Sequence, residues 1–369
     1  MKTTIGKEAI LFILALCGVW TLAAEPVGRH GPGSSPQVGA NETYLLGLPR
    51  DGRPMVVRTA FHLQDIDEID DERETVEFTG VLILTWRDKR QAFNPDEARV
   101  DEKIYQGAFQ FNELSPAWYP QVVLANESGL YEKHATLLRV KPDGTSKLVE
   151  TVNAIAKSNL NLRRYPFDTQ RLEAIFEVLG FDTGEVVLQA EPLPARSDER
   201  EIRMPGWKLT GIGASAREKA APHAGKRGVS STFVLDMEVK RQSMFMLRLV
   251  VLPLFLIVVL SWSVFWMDRS ALGDRINVSF VGILTAVAYQ MAVGDILPEI
   301  SYMTLMNSFL NISFWVMCVT VVIHLIVDIK DRQGDSASGD LIDRRCRWIF
   351  PLVYFGSLSV VVAIVFIFF

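Results

Sequence analysis

Two regimes of hydrophobic patterning divide this chain. Between residues 44 and 243 apolar and polar positions alternate with a period of two. Leu172, Ala174, Phe176 and Val178 interleave with Glu173, Ile175 and Glu177. Phe233, Leu235, Met237 and Val239 interleave with Val234, Asp236, Glu238 and Lys240. The run 76–86 is rich in β-branched and aromatic residues. Such runs, separated by turn-rich segments, predict antiparallel strands with one face on a core. From 244 to 369 the pattern becomes long apolar stretches: 245–267, 276–297, 304–327 and 349–369. A helix of that length crosses a hydrocarbon core of about 30 Å. A buried helix in a soluble core is the other reading of one such run, but not of four in succession. The fold class expected is a β + α membrane protein: an extracytoplasmic immunoglobulin-like β-sandwich followed by a four-helix transmembrane bundle.

The amino-terminal residues read as an export signal over 1–24. Lys2 and Lys7 precede a short apolar stretch, and Ala23 and Ala24 offer a cleavage site. Residues 25–43 are rich in Gly, Pro and Ser and are expected to form a flexible lead-in. The connection 328–347 carries Lys330, Arg332, Arg344, Arg345 and Arg347, whereas 298–303 has no Lys or Arg. Basic connections stay in the cytoplasm, so the sandwich is expected outside the cell membrane, as the export signal also requires.

Charge and cysteine content narrow the function. The net charge of -5 and the lack of a basic cluster argue against a nucleic-acid partner. Of three cysteines, Cys17 lies in the signal and Cys318 and Cys346 near the carboxyl end, so the exported domain has no disulfide. No His-Glu-x-x-His, Gly-x-Ser-x-Gly or phosphate-cradling loop occurs, so neither catalysis nor a cofactor is expected. The acidic run Asp65 to Glu74 lacks the spacing of a calcium loop, and no metal site is assigned.

The second apolar run carries the chemistry. Asp274, Asn277, Val281, Leu284, Ala288, Met291 and Asp295 are spaced alternately by three and four, which makes one stripe along a helix. The stripe has an acid at each end and apolar residues between. Packed around an axis, such stripes form stacked rings; carboxylate rings favour cations and apolar rings gate by dewetting. The alternative is that both acids are ordinary helix-end residues. Arg275, beside Asp274, would oppose cations if it faced the axis.

The segment Tyr165-Pro166-Phe167-Asp168-Thr169-Gln170 resembles the signature loop of the Cys-loop receptor family, the pentameric ligand-gated ion channels. Ser158 and Leu172 stand where the loop's two cysteines would be, as in bacterial members without the disulfide. Trp86-Arg87-Asp88, Trp118-Tyr119-Pro120 with Asn126, Gly273-Asp274-Arg275 and Leu297-Pro298 resemble further family segments in the same order. Arg241 stands 12 residues before Pro253, like the family arginine before the first membrane helix. The resemblance implies a homopentamer in membrane lipid, passing cations and opened by a small-molecule agonist or protons. It implies that Leu284 is the central gate, and that Asp168, Arg241, Asp71, Glu72 and Pro298 couple the two domains. It also implies an agonist site between subunits under an aromatic hairpin, but residues 211–232 contain no Phe, Tyr or Trp. Glu177, Leu179 and Phe181 are the remaining candidates. Alternation puts Glu177 opposite the core face, where it either meets an amine or a proton, or is a solvated strand residue. The competing function is a membrane-anchored ligand-binding receptor that does not conduct.

Overall fold

The computed structural model describes residues 47–49, 52–107, 110, 117–192, 202–267 and 272–368. The expected export signal and lead-in lie outside the described residues.

Eleven strands are described: β1 Met55–Asp70, β2 Thr75–Arg87, β3 Lys103–Gln106, β4 Val122–Leu124, β5 Glu127–Val140, β6 Thr145–Lys157, β7 Thr169–Val178, β8 Val186–Ala190, β9 Arg203–Met204, β10 Trp207–Ala220 and β11 Val229–Arg241. They form two sheets, ordered β3-β5-β6-β2-β1-β8 and β4-β7-β11-β10-β9. All neighbours are antiparallel except β1 and β8. The period-two pattern works as expected: Phe233, Leu235, Met237 and Val239 are fully buried. Between the sheets the Phe61 ring of β1 stacks on Phe176 of β7 at 5.4 Å, and Phe78 and Phe233 extend the group. Aromatic packing of this kind substitutes for a cross-sheet disulfide as the centre of a core.

Polar staples set the sheet edges. The Asn126 side chain donates to the carbonyls of Lys157 in one sheet and Glu173 in the other, both at 2.7 Å, and accepts from Ile175 N. Ser158 Oγ donates to Arg171 O and accepts from Glu173 N, so hydrogen bonds tie the start of the signature loop to β7. The β5–β6 turn needs glycine at 144: φ is +80° and a Cβ would collide with the Asp88 carbonyl.

Four long helices follow: α1 Met244–Trp266, α2 Leu272–Gly294, α3 Leu305–Arg332 and α4 Ser336–Phe368. Each is long and apolar enough to cross a membrane. The connection expected over 328–347 is mostly helical, leaving residues 333–335 between α3 and α4. The 33 residues of α4 reach about 50 Å, so its basic first turns extend beyond the hydrocarbon. Pro253 in α1 has no N–H for the Leu249 carbonyl. The Tyr289 hydroxyl of α2 donates to that carbonyl and, at 3.4 Å, to that of Val250. The sandwich core continues into the bundle: Val250, Val293 and Met306 belong to it, with Leu297, Ile300 and Tyr302 packed against it.

Candidate functional site

All seven stripe residues of α2 are exposed in the single chain, with Leu284 at 70% and Met291 at 74%. The opposite face is covered: Arg275, Ser279, Ala286 and Val293 are buried against the other helices. The side chain of Gln290 donates to the Leu310 carbonyl of α3, which accounts for a polar residue off the stripe. Arg275 turns away from Asp274 and grips the Asp343 carboxylate of α4 at 3.0 and 3.1 Å. The stripe therefore carries no basic residue.

At the membrane end of the sandwich, Arg241 ends β11. Its guanidinium donates to Asp168 at 2.8 and 3.3 Å and to Asp71 at 2.8 Å. It also lies over the Trp207 and Tyr165 rings at 4.0 and 4.6 Å. Arg241 and Asp168 are 9% and 1% exposed, so these charge-assisted bonds act with little water present. Burial opposes the arginine charge, but the hydrogen bonds to Asp71 and Asp168 outweigh it and raise the guanidinium above its ordinary pKa. Burial pushes the Tyr165 phenol up to about 12, with Arg241 pulling the other way.

The same end meets the α2–α3 connection. Glu72 accepts from Glu299 N at 3.5 Å, next to the half-buried Pro298. Tyr302 accepts from Leu162 N at 3.0 Å, and Leu305 N donates to Arg163 O. Ser243, at the head of α1, donates to Pro166 O at 2.6 Å. The structure thus joins Asp168, Arg241 and Asp71 in one cluster and puts Glu72 and Pro298 at its flank. Tyr302 belongs to the connection 298–304 expected at this junction, whereas Trp207 is not legible in the sequence. The signal for Trp207 is its register opposite Arg241, which exists only once β10 and β11 are paired.

Glu177 lies opposite the core face, as alternation requires, but it is not a solvated strand residue. It is only 6% exposed, because Ser230 Oγ donates to it at 2.9 Å and His223 Nε2 stands 3.4 Å away. Both partners come from the β10–β11 hairpin. Asp182 locks that hairpin: its carboxylate accepts from Lys226 N, Arg227 N and Gly184 N at 2.7–2.9 Å. The backbone bond from Arg227 is the largest cause of its lowered pKa, and those from Gly184 and Lys226 add to it against burial. Leu179 is exposed, whereas Phe181 packs edge-on against Trp118 at 5.9 Å, which in turn meets Trp86. Glu177 and Phe181 therefore sit in different surroundings. Among the described residues no group of three His, Cys, Asp or Glu side chains is placed to share a metal ion.

A two-sheet domain locked onto four spanning helices, one with an acid-ended exposed stripe, defines a ligand-gated membrane channel. Comparison with known families agrees. Residues 47–242 match the neurotransmitter-gated ion-channel ligand binding domain, and 250–336 match the neurotransmitter-gated ion-channel transmembrane region. The chain belongs to this family, the pentameric ligand-gated ion channels, whose members are not enzymes. It is a multi-pass plasma-membrane protein with its ligand-binding domain outside. It is similar to a proton-gated ion channel of Gloeobacter violaceus, 26% identical over 87% of this chain and 86% of that one. It is also similar to a gamma-aminobutyric acid receptor subunit beta-like protein of Drosophila melanogaster, 25% identical over 75% of this chain and 56% of that one. A gamma-aminobutyric acid receptor subunit beta of Caenorhabditis elegans is 26% identical over 72% of this chain. The match spans about half of the fly and worm proteins, 56% and 46% of their lengths.

Proposed function

We propose that the chain forms a homopentamer whose α2 helices surround a cation-selective pore, opened by protons or a small cationic ligand acting at Glu177. The observation that carries the selectivity is the α2 stripe: acids at 274 and 295, apolar residues between, and Arg275 buried on the other side. Rings of carboxylates raise the local cation concentration and repel chloride. The test is a reversal potential in a planar bilayer under a salt gradient. It is expected to follow the cation gradient, and Asp274→Asn is expected to weaken that preference. A reversal at the chloride potential defeats the cation assignment, and no current under any ligand or pH favours the non-conducting receptor.

The hairpin supports the proton reading. Histidine is the side chain that takes up a proton in mildly acidic water. His223 Nε2 stands 3.4 Å from the Glu177 carboxylate across the hairpin, so a proton added there meets a negative partner. The similarity to a channel described as proton-gated points the same way. Currents are therefore expected to rise as pH falls from 7.5 to about 5 without added ligand. Glu177→Gln and His223→Ala are each expected to blunt that rise. An unaltered pH response in both variants moves the proton site elsewhere.

A further inference from the structure

Arg275 lies in the first turn of α2, one residue from the inner acid of the stripe. Two physical effects disfavour a cation there. The positive end of the helix dipole repels it, and burial strips its water. It is nonetheless 1% exposed, and Asp343 of α4, itself 5% exposed, holds it through two parallel hydrogen bonds. The side chain lies on the covered face of α2 shared with Ser279, whose hydroxyl donates to the Arg275 carbonyl. His324 of α3, buried with neither ring nitrogen hydrogen-bonded among the described residues, packs at a tilt against Phe265 at 4.7 Å. The inner end of α4 is also fastened to α1: Trp262 Nε1 donates to Arg347 O, and Arg347 Nε donates to Phe265 O. The outermost helix is thus held against the base of the pore helix.

We infer that Asp343 is a positioning residue for ion selectivity: by holding Arg275 behind α2, it keeps a ring of positive charge out of the inner mouth. The inference rests on the cation-selective reading given above. An arginine that loses a buried carboxylate partner cannot stay charged in place, and its long stem lets the guanidinium swing toward water. Asp274, the next position around the helix, is exposed, and on the cation-pore reading it faces the water of the inner mouth. Loss of Asp343 therefore brings Arg275 to the ring it was kept from, where it offsets Asp274.

The experiment compares reversal potentials and single-channel conductance of the full chain in planar bilayers, for wild type, Asp343→Asn and Asp343→Ala. Both single variants are expected to shift the reversal potential toward that of chloride and to lower cation conductance. Adding Arg275→Met to either is expected to restore the wild-type value. A purely structural role would alter open probability or assembly and leave the reversal potential in place. Open variants with an unchanged reversal potential overturn the inference, as does failure of Arg275→Met to restore it. The paired variant R275M/D343L removes both charges of this pair and serves where single variants do not assemble. Its reversal potential is expected to match wild type, and a displaced one overturns the inference. A wild-type reversal at the chloride potential sinks the cation reading alone. In that case the readout of Asp343→Asn is a rise in chloride conductance, and its absence overturns this inference.

Discussion

Arg241 touches two carboxylates, two aromatic rings and the junction of both domains. Removing one partner of a buried charge pair costs roughly 3–5 kcal/mol, most of it the cost of the charge left behind. We expect Asp168→Ala and Arg241→Ala each to impair assembly or gating with selectivity unchanged. A double-mutant cycle on ligand-free and ligand-bound opening should return a coupling of more than about 1 kcal/mol. Coupling near zero with normal gating in both single variants would mean that the pair is decorative. Leu284 makes a different prediction. It is the most central of the exposed apolar stripe residues, and a leucine side chain is worth roughly 1.5–3 kcal/mol when kept from water. Leu284→Ser should therefore raise the open probability without ligand by tenfold or more, read as leak current at neutral pH. Tight closure in that variant would move the gate to Met291.

Among the elements, the β10–β11 hairpin is held by a carboxylate from outside it, that of Asp182. Asp182 has a lowered pKa through its backbone hydrogen bonds. A depressed carboxylate pKa gives stability that is present above the unfolded value, about 3.9, and is lost as pH falls through the folded value. The Asp182 lock is therefore intact in mild acid. Asp182→Asn should release the amides of Lys226 and Arg227. Hydrogen exchange should show both losing protection at neutral pH, with β11 itself unaffected. Unchanged protection would show that the turn holds without the carboxylate. The helices divide their work by the same local logic. On α2, the covered face serves packing and the exposed stripe is the face proposed to line the pore, and Tyr289 supplies a donor to the Leu249 carbonyl.

Across the whole molecule, one apolar core runs from the sandwich into the upper ends of the helices. A displacement at the hairpin can reach α2 through packed β7 and β11, the Arg241 cluster, and the Tyr302 bridge. The charge asymmetry follows the same axis: an acid stands at each end of the stripe, while bases gather on the cytoplasmic ends of α3 and α4.

Periodicity alone was enough for the division into strands and spanning helices, because burial on one face imposes period two on a strand and membrane thickness imposes length on a helix. The exposed stripe of α2 was legible for the same reason: a helix repeats every 3.6 residues, so its faces can be counted without coordinates. The membrane orientation followed from where Lys and Arg could remain in water. What stayed hidden were contacts between residues far apart in the chain. Arg275 was an objection to a cation pore until Asp343, 68 positions later, was found to hold it. Glu177 read equally well as a carboxylate meeting a ligand or as a solvated strand residue until the hairpin brought Ser230 over it, 53 positions on. Arg241 had Asp168 as its expected partner and the loop of Asp71 beside it, but the Trp207 ring joined only through the pairing of strands. Local pattern records what a residue's own element must bury. Which distant charge or ring completes a site depends on how the elements are packed, and packing leaves no period in the sequence.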